Sequence, residues 1–428
     1  MRILLVSPKS CFSKNPRLNS MIERLSGQLF RFFYGGFNLG LLTLASLTPR
    51  DIEVDLVDEN LQAIDPDVRY DLVAVTAMTQ QADRAYEIAR HFRRLEVPVV
   101  MGGVHATVLP EEAKEHVDYT ILGEAEDTWP VFLEAFRNGS AQSSYAATVP
   151  TDLTRLPPPR YDLLDPSQYG IAWVQTTRGC PYDCEYCCSS RIFGTKYRHK
   201  TVEQVVEEIR LLKTLWPNPR VAFVDDNMLV NKPFAFRLLE ELIPLNVRWA
   251  CQTSINFLHD DELLDLLKRS GCMTLFVGLE GVSEDALRSV DKYRDRKASV
   301  RLFEDTIRRV QSRGIGVLGA FILGFDTDDA SVFGRVVEFV ARNNVYSSQI
   351  TILTPLPGTP LRDRLLKEDR VLPTAWENYT FTDANFVPRN MSVRQLEEGI
   401  VSTYEAIYSP EAMEKRLSHF KRLYAGRV

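Results

Sequence analysis

The stretch Thr176-Thr-Arg-Gly-Cys180-Pro-Tyr-Asp-Cys184-Glu-Tyr-Cys187 decides how this chain is read. Three thiolates at Cys-x3-Cys-x2-Cys spacing can hold three irons of a 4Fe–4S cluster and leave the fourth iron open. Clusters that only carry electrons normally take four protein ligands, so an open iron implies that a small molecule is bound and activated there. The competing reading is a zinc site, which needs four ligands. Cys188 adjoins Cys187, and neighbours on a tight loop rarely aim at one metal; His199 is the other candidate. The sequence downstream favours the cluster.

With 428 residues the chain can hold two domains and a smaller third piece. Apolar residues make up 45% and charged residues 25%, the balance of a globular protein with ample core. A net charge of −6 without any Lys/Arg run argues against nucleic acid as the main partner. Seven cysteines, three of them in the cluster motif, fit a reducing cytoplasm rather than a disulfide framework. The start, Met1-Arg-Ile-Leu-Leu-Val-Ser-Pro8, is too short for a signal peptide and reads as a first buried strand. No apolar run approaches the roughly 20 residues that span a bilayer. Residues 21–34, with Phe30, Phe32, Phe33 and Tyr34, read as an amphipathic helix on the core, with peripheral membrane contact as the alternative.

Residues 1–140 alternate short Val/Ile/Leu-rich runs (3–7, 53–57, 72–76, 98–101, 119–122) with helical patterns such as 82–95. Brief apolar strands of this kind suit a parallel sheet covered on both faces. Five such units describe a doubly wound α/β sheet whose ligand loops follow the strands, at 76–80, 102–107 and 123–127. Residues 141–170, rich in Ser and Thr and carrying Pro157-Pro-Pro159, read as a surface linker. A second series has strands at 172–177, 221–224, 247–253, 274–279, 316–323 and 348–353, with helices between them. Residues 361–428 form a C-terminal segment ending in a helical run over 393–408.

The cysteine loop, with Gly179 before its first cysteine and Tyr186 before its third, resembles the radical S-adenosylmethionine (SAM) superfamily. The resemblance implies a partial (β/α)6 barrel over 171–360, with Cys180, Cys184 and Cys187 holding the cluster. It further implies that SAM chelates the open iron and is cleaved to a 5′-deoxyadenosyl radical. Tyr186 would then lie against the adenine, and Asp226, in Val224-Asp-Asp-Asn227, near the SAM amino group or the substrate. Helix capping by Asp226 or Asn227 is the ordinary alternative. Glu280, ending Phe276-Val-Gly-Leu-Glu-Gly281, would reach the ribose, unless it simply faces solvent. Gly324, in Gly319-Ala-Phe-Ile-Leu-Gly-Phe325, and Pro357, in Thr354-Pro-Leu-Pro-Gly-Thr-Pro360, would border the adenine. Cys251 and Cys272 read as buried apolar residues.

The preceding sheet, with Gly102-Gly-Val-His-Ala-Thr107 and Gly123-Glu-Ala-Glu126, resembles the cobalamin-binding subgroup of this superfamily. The tail, with Asn385-Phe-Val-Pro388 and Tyr408-Ser-Pro410, is similar to that of members near the hopanoid methylases. This implies a Rossmann-like cobalamin domain in which Thr76, Met78, Thr79, His105 and Glu124 lie near the corrin and its nucleotide tail. Gly102 and Gly103 would admit that tail because a Cβ would clash. The Asp-x-His-x-x-Gly motif that ligates cobalt in other cobalamin proteins is missing from the chain. The whole resemblance implies an α/β enzyme that methylates an unactivated carbon of a small molecule, natural product or lipid. A flavodoxin or ferredoxin would supply the electrons. A cyclase, oxidase or rearrangement enzyme on the same domains is the alternative.

Overall fold

The computed structural model describes residues 1–26, 36–290 and 299–424. The aromatic group Phe30, Phe32, Phe33 and Tyr34 lies outside them. The strands in chain order are β1 (Arg2–Ser7), β2 (Glu53–Asp58), β3 (Leu72–Thr76), β4 (Val99–Gly102), β5 (Tyr119–Leu122), β6 (Ser144–Ala146) and β7 (Ala172–Val174). A short ribbon of β8 (Thr177–Arg178) and β9 (Arg198–His199) follows. The series closes with β10 (Arg220–Phe223), β11 (Arg248–Ser254), β12 (Cys272–Glu280), β13 (Gly316–Leu323) and β14 (Ser347–Ile352).

The first six strands form one parallel sheet in the order β2-β1-β3-β4-β5-β6. Ile3, Leu4, Leu5 and Val6 of β1 are all fully buried, as expected where helices cover both faces. The sixth strand corrects the linker reading. Ser144-Tyr-Ala146 is short and polar, so it carries no apolar run, yet it pairs with β5 as an edge strand. The rest of that segment is not a surface tether either. Tyr161 is fully buried and its hydroxyl binds Trp173 O (2.7 Å) and Glu208 Oε1 (2.6 Å), while Lys200 neutralises Glu208 at 2.6 Å.

The second parallel sheet runs β7-β10-β11-β12-β13-β14 without any reversal, the wall of an incomplete barrel. Its helices start where the sequence provides caps. Thr201 and Gln204 form a reciprocal capping box on Val202–Leu215, and Asn231, Asp260, Ser299 and Thr359 cap later helices. Neither Asp226 nor Asn227 caps a helix. The C-terminal part holds Val393–Ile407 and a further helix, Pro410–Tyr424, beyond the helical run expected from the sequence. Among the described residues no helix is long and apolar enough to cross a membrane.

Candidate active site

The cysteine loop leaves β8 through Gly179, whose φ of +89° is open to glycine and strained for other residues. A Cβ there would lie 2.5 Å from Lys196 O, so the loop is folded tightly on itself. Cys187 N donates to Cys184 O (3.0 Å), and Cys184 is buried. Burial pushes the Cys180 thiol up, and charge on nearby Cys184 and Asp226 adds to it. A bound iron would take the proton's place and remove that penalty.

Among the described residues no three His, Cys, Asp or Glu side chains gather around a single-ion site. A cluster takes each thiolate on a different iron, so it does not need the three thiolates to converge on one point. His199 is committed elsewhere: its Nδ1 faces Lys200 O at 2.7 Å and its ring stacks on Phe234 at 4.3 Å. Burial holds the Cys188 thiol up at about 12, which keeps it a thiol.

The carboxylates at the barrel mouth have separate roles. Asp225 is buried and accepts from Thr176 N, Thr177 N and Thr176 Oγ1, all at 2.7 Å, pinning the turn that launches the cysteine loop. Burial nevertheless raises its pKa to about 6. Asp226 accepts from Ser189 Oγ; burial raises it, while Ser189, the Gly179 N–H and Arg178 oppose the shift. Asn227 Oδ1 ties down β11 through Thr253 Oγ1 (3.2 Å) and Ser254 N (3.1 Å).

Glu280 sits on a bulge between β12 and β13 with φ +63° and is buried, so it does not face solvent. Bulges re-aim side chains next to sites. Gly324 has φ +100°, and its N–H and that of Phe325 donate to Asp328 Oδ2 at 3.0 Å. Pro357 is buried, and Tyr186 packs edge-on against Phe325 at 6.1 Å. The fold therefore brings Cys180, Cys184, Cys187, Tyr186, Asp226, Glu280, Gly324 and Pro357 to strand ends of one barrel.

The sheet residues divide differently. Thr76, Met78 and Thr79 lie where β3 ends, with Met78 exposed and Thr79 buried. Gly103 does need to be glycine, but for an internal reason. At φ +89° its Cβ would stand 2.6 Å from Thr76 Oγ1 and 2.9 Å from Ala77 N. At Gly102 the nearest atom is Ile121 O at 3.4 Å, an ordinary contact. His105 is fully buried on the helix Gly103–Val108 with Nε2 3.0 Å from Tyr86 OH and 3.2 Å from Glu112 Oε1; burial lowers its pKa.

Glu124 is held by two arginines. It pairs with Arg178 (2.7 Å) and Arg198 (2.6 Å), and Arg178 also binds Glu126. Burial alone would raise Glu126 and lower Arg178, but their mutual charge reverses both shifts. The loop after β5 thus grips the residue two places before Cys180, a tie between sheet and barrel that the sequence did not reveal.

Sequence reasoning also missed Gln80. Its Oε1, like His105 Nδ1, is buried without a hydrogen-bond partner among the described residues. Buried polar atoms of this kind need an explanation, and the amide-rimmed corrin supplies donors. The residues present fit cobalamin.

A model of the radical SAM superfamily matches residues 174–340, and one of the B12 binding domain matches residues 33–133. A domain of unknown function (DUF4070) matches residues 359–427. The bacteriochlorophyllide d C-12(1)-methyltransferase of Chlorobaculum tepidum is 30% identical over 389 residues, covering 89% of this chain and 84% of that protein. The chain belongs to the cobalamin-dependent radical SAM methyltransferase family. The hopanoid C-2 methylase of Rhodopseudomonas palustris is 29% identical over 403 residues, 91% of this chain and 74% of that protein. The solved structure of the radical SAM methyltransferase TsrM from Kitasatospora setae, with cobalamin and a 4Fe–4S cluster bound, superposes with a TM-score of 0.69. It is 17% identical and covers 96% of this chain and 91% of that one, a likeness of fold. The family's cofactors are the 4Fe–4S cluster, SAM and cobalamin.

Proposed function

We propose that this enzyme methylates a carbon on an uncharged, largely apolar portion of a small molecule that enters the barrel. The observation that carries this reading is a cavity of about 460 Å³ between Asn38–Leu39 and the inner barrel wall. Trp173, Val224, Gln252, Phe276 and Gln349 line it, and among the described residues none of its lining side chains is ionisable. A charged group placed there would lose its hydration without gaining a counter-ion. The Trp173 Nε1–H, buried without a partner among the described residues, offers one hydrogen bond to a substrate oxygen.

When bound, SAM on the cluster supplies a hydrogen-abstracting radical and cobalamin supplies the methyl group. The chain's own residues position and exclude. Cys180, Cys184 and Cys187 hold the iron, Asp226 and Glu280 orient the SAM amino group and ribose, and Tyr186, Gly324 and Pro357 bound the adenine. The aromatic wall keeps water from the reacting carbon. A low-potential donor of the flavodoxin or ferredoxin type delivers the electrons.

The test is to give the reconstituted, reduced enzyme SAM with a deuterated methyl group and candidate neutral substrates. Methylation yields 5′-deoxyadenosine, S-adenosylhomocysteine and deuterated product together. 5′-Deoxyadenosine without S-adenosylhomocysteine would replace methylation by a cyclase, oxidase or rearrangement activity. Gln252→Glu should suppress the product by introducing a charge into the cavity.

A further inference from the structure

The strand order reverses between β1 and β3, so the loops after these two strands flank the crevice where a doubly wound sheet takes its ligand. Both loops are gripped by one short piece of the C-terminal domain of unknown function, residues 376–383. On the β1 side, Thr382 Oγ1 donates to Phe12 O (2.6 Å). The Asp383 carboxylate accepts from Lys14 N (2.7 Å) and Ser13 Oγ (3.2 Å), and Glu377 pairs with Lys14 Nζ at 3.0 Å.

On the β3 side, Glu377 N donates to Asp83 Oδ2 (2.9 Å), just past the turn Thr79–Gln81. Trp376 reaches the segment after β4, where its Nε1 donates to Glu112 Oε1 (2.8 Å) and its ring lies edge-on to His105 at 5.2 Å. Gln81 Nε2 donates to Pro8 O (2.5 Å), joining the two loops directly. Within the piece, Phe381 holds φ +68°, a strained conformation for a bulky residue, while its carbonyl accepts from Ile352 N (2.6 Å) at the end of β14. One segment therefore connects the barrel mouth to both walls of the crevice. The unpartnered Gln80 Oε1 and His105 Nδ1 belong to the segments that follow β3 and β4.

Resting on the cobalamin reading of the first sheet, we infer that residues 376–383 are a positioning clasp for the corrin. The clasp fixes the loops after β1 and β3 before the cofactor arrives, so binding need not meet the cost of ordering them. Asp383 acts through the loop after β1, and Trp376 through Glu112 and His105 in the segment after β4; both are positioning residues.

The experiment titrates hydroxocobalamin into the anaerobically reconstituted full chain and follows the corrin absorption. Wild type, Asp383→Ala, Trp376→Phe and the control Tyr404→Phe are compared, with iron per chain and thermal unfolding recorded for each. The clasp predicts about tenfold weaker corrin binding for Asp383→Ala and about threefold for Trp376→Phe, with iron content and unfolding temperature near wild type. Tyr404→Phe should lower the unfolding temperature and leave corrin affinity unchanged. Unchanged affinity in both clasp variants would overturn the proposal. So would parallel loss of corrin, iron and thermal stability, because the segment would then be a general stabiliser. A wild-type chain that fails to bind hydroxocobalamin would overturn the cobalamin reading and the clasp together.

Discussion

The two six-stranded parallel sheets use the same strand-and-helix units but hold ligands by different means. In β2-β1-β3-β4-β5-β6 the order reverses, and the reversal opens a crevice whose walls are loops. Those loops are braced from residues 376–383, about 370 positions downstream of the first of them. In β7-β10-β11-β12-β13-β14 the order never reverses, so every strand end faces one mouth. There a single stretch of twelve residues, 176–187, carries the three cysteines proposed as cluster ligands. A crevice made of loops draws its rigidity from distant contacts, whereas a barrel mouth draws it from its own strands.

The largest effect should follow from breaking the barrel side of that contrast. Cys184→Ala removes one of three cluster ligands and should reduce 5′-deoxyadenosine formation to background. Hydroxocobalamin binding to the first sheet should persist. Iron analysis and product chromatography on one preparation separate the two; corrin loss in step with iron would show that the sheets are not independent ligand sites.

The next effect should come from the tie between the sheets. Glu126→Gln leaves Arg178 and Arg198 sharing Glu124 as their carboxylate partner among the described residues, a net positive charge in a buried place. Breaking a buried pair in this way costs roughly 3–5 kcal/mol, read as a fall in the urea midpoint. The pH dependence has a definite sign. Glu126 is held below its usual 4.5 in the folded chain, so its stabilisation is fully present above pH 4.5. It is lost as pH falls through the depressed folded value. The wild type should lose stability on acidification over that window, and the variant should lose less.

Both sheets were legible in the sequence because apolar runs and caps are local signals: Val202–Leu215 begins after a Thr-x-x-Gln box. The proposed cluster loop could be picked out because its three cysteines stand at fixed spacing in one short stretch. The crevice was far less legible. Gly103 stood out as a glycine, and Thr76 and Ala77 already crowd the Cβ that any other residue would add there. The pairing of Glu124 with Arg178 and Arg198 could not be read, because nothing near Glu124 in the chain announces them. Polar Ser144-Tyr-Ala146 gave no strand signal, since an edge strand needs no apolar run. Residues 376–383 carried no motif; their role comes from contacts that exist only after the chain has returned to its beginning.

Gly103 offers a smaller perturbation confined to the crevice. Gly103→Ala must fit a Cβ 2.6 Å from Thr76 Oγ1 at φ +89° and should cost about 2 kcal/mol, measured by denaturation. Gly139 also has a positive φ (+67°) but nothing within 4 Å, so Gly139→Ala isolates the backbone part of that cost. The difference between the two variants is the steric part. Equal costs would mean that the β3–β4 junction yields readily, contrary to a crevice braced before its ligand binds.

The smallest effect should appear at the barrel's open edge. A partial barrel ends in β14, whose outer N–H and C=O groups have no next strand. Tyr404 OH accepts from Ile350 N and donates to Ile350 O, both at 3.1 Å, and Tyr408 OH does the same for Ser348 at 2.8 and 2.6 Å. Two phenol groups on the helix Val393–Ile407 and its end thus stand in for a seventh strand at alternate residues. Tyr404→Phe keeps the packing and strips those bonds from a buried backbone pair, at about 1–2 kcal/mol in chemical denaturation. Amide hydrogen exchange should then rise at Ile350 while β1 of the first sheet stays protected. Exchange rising equally in both sheets would show that the edge strand opens only with the whole molecule.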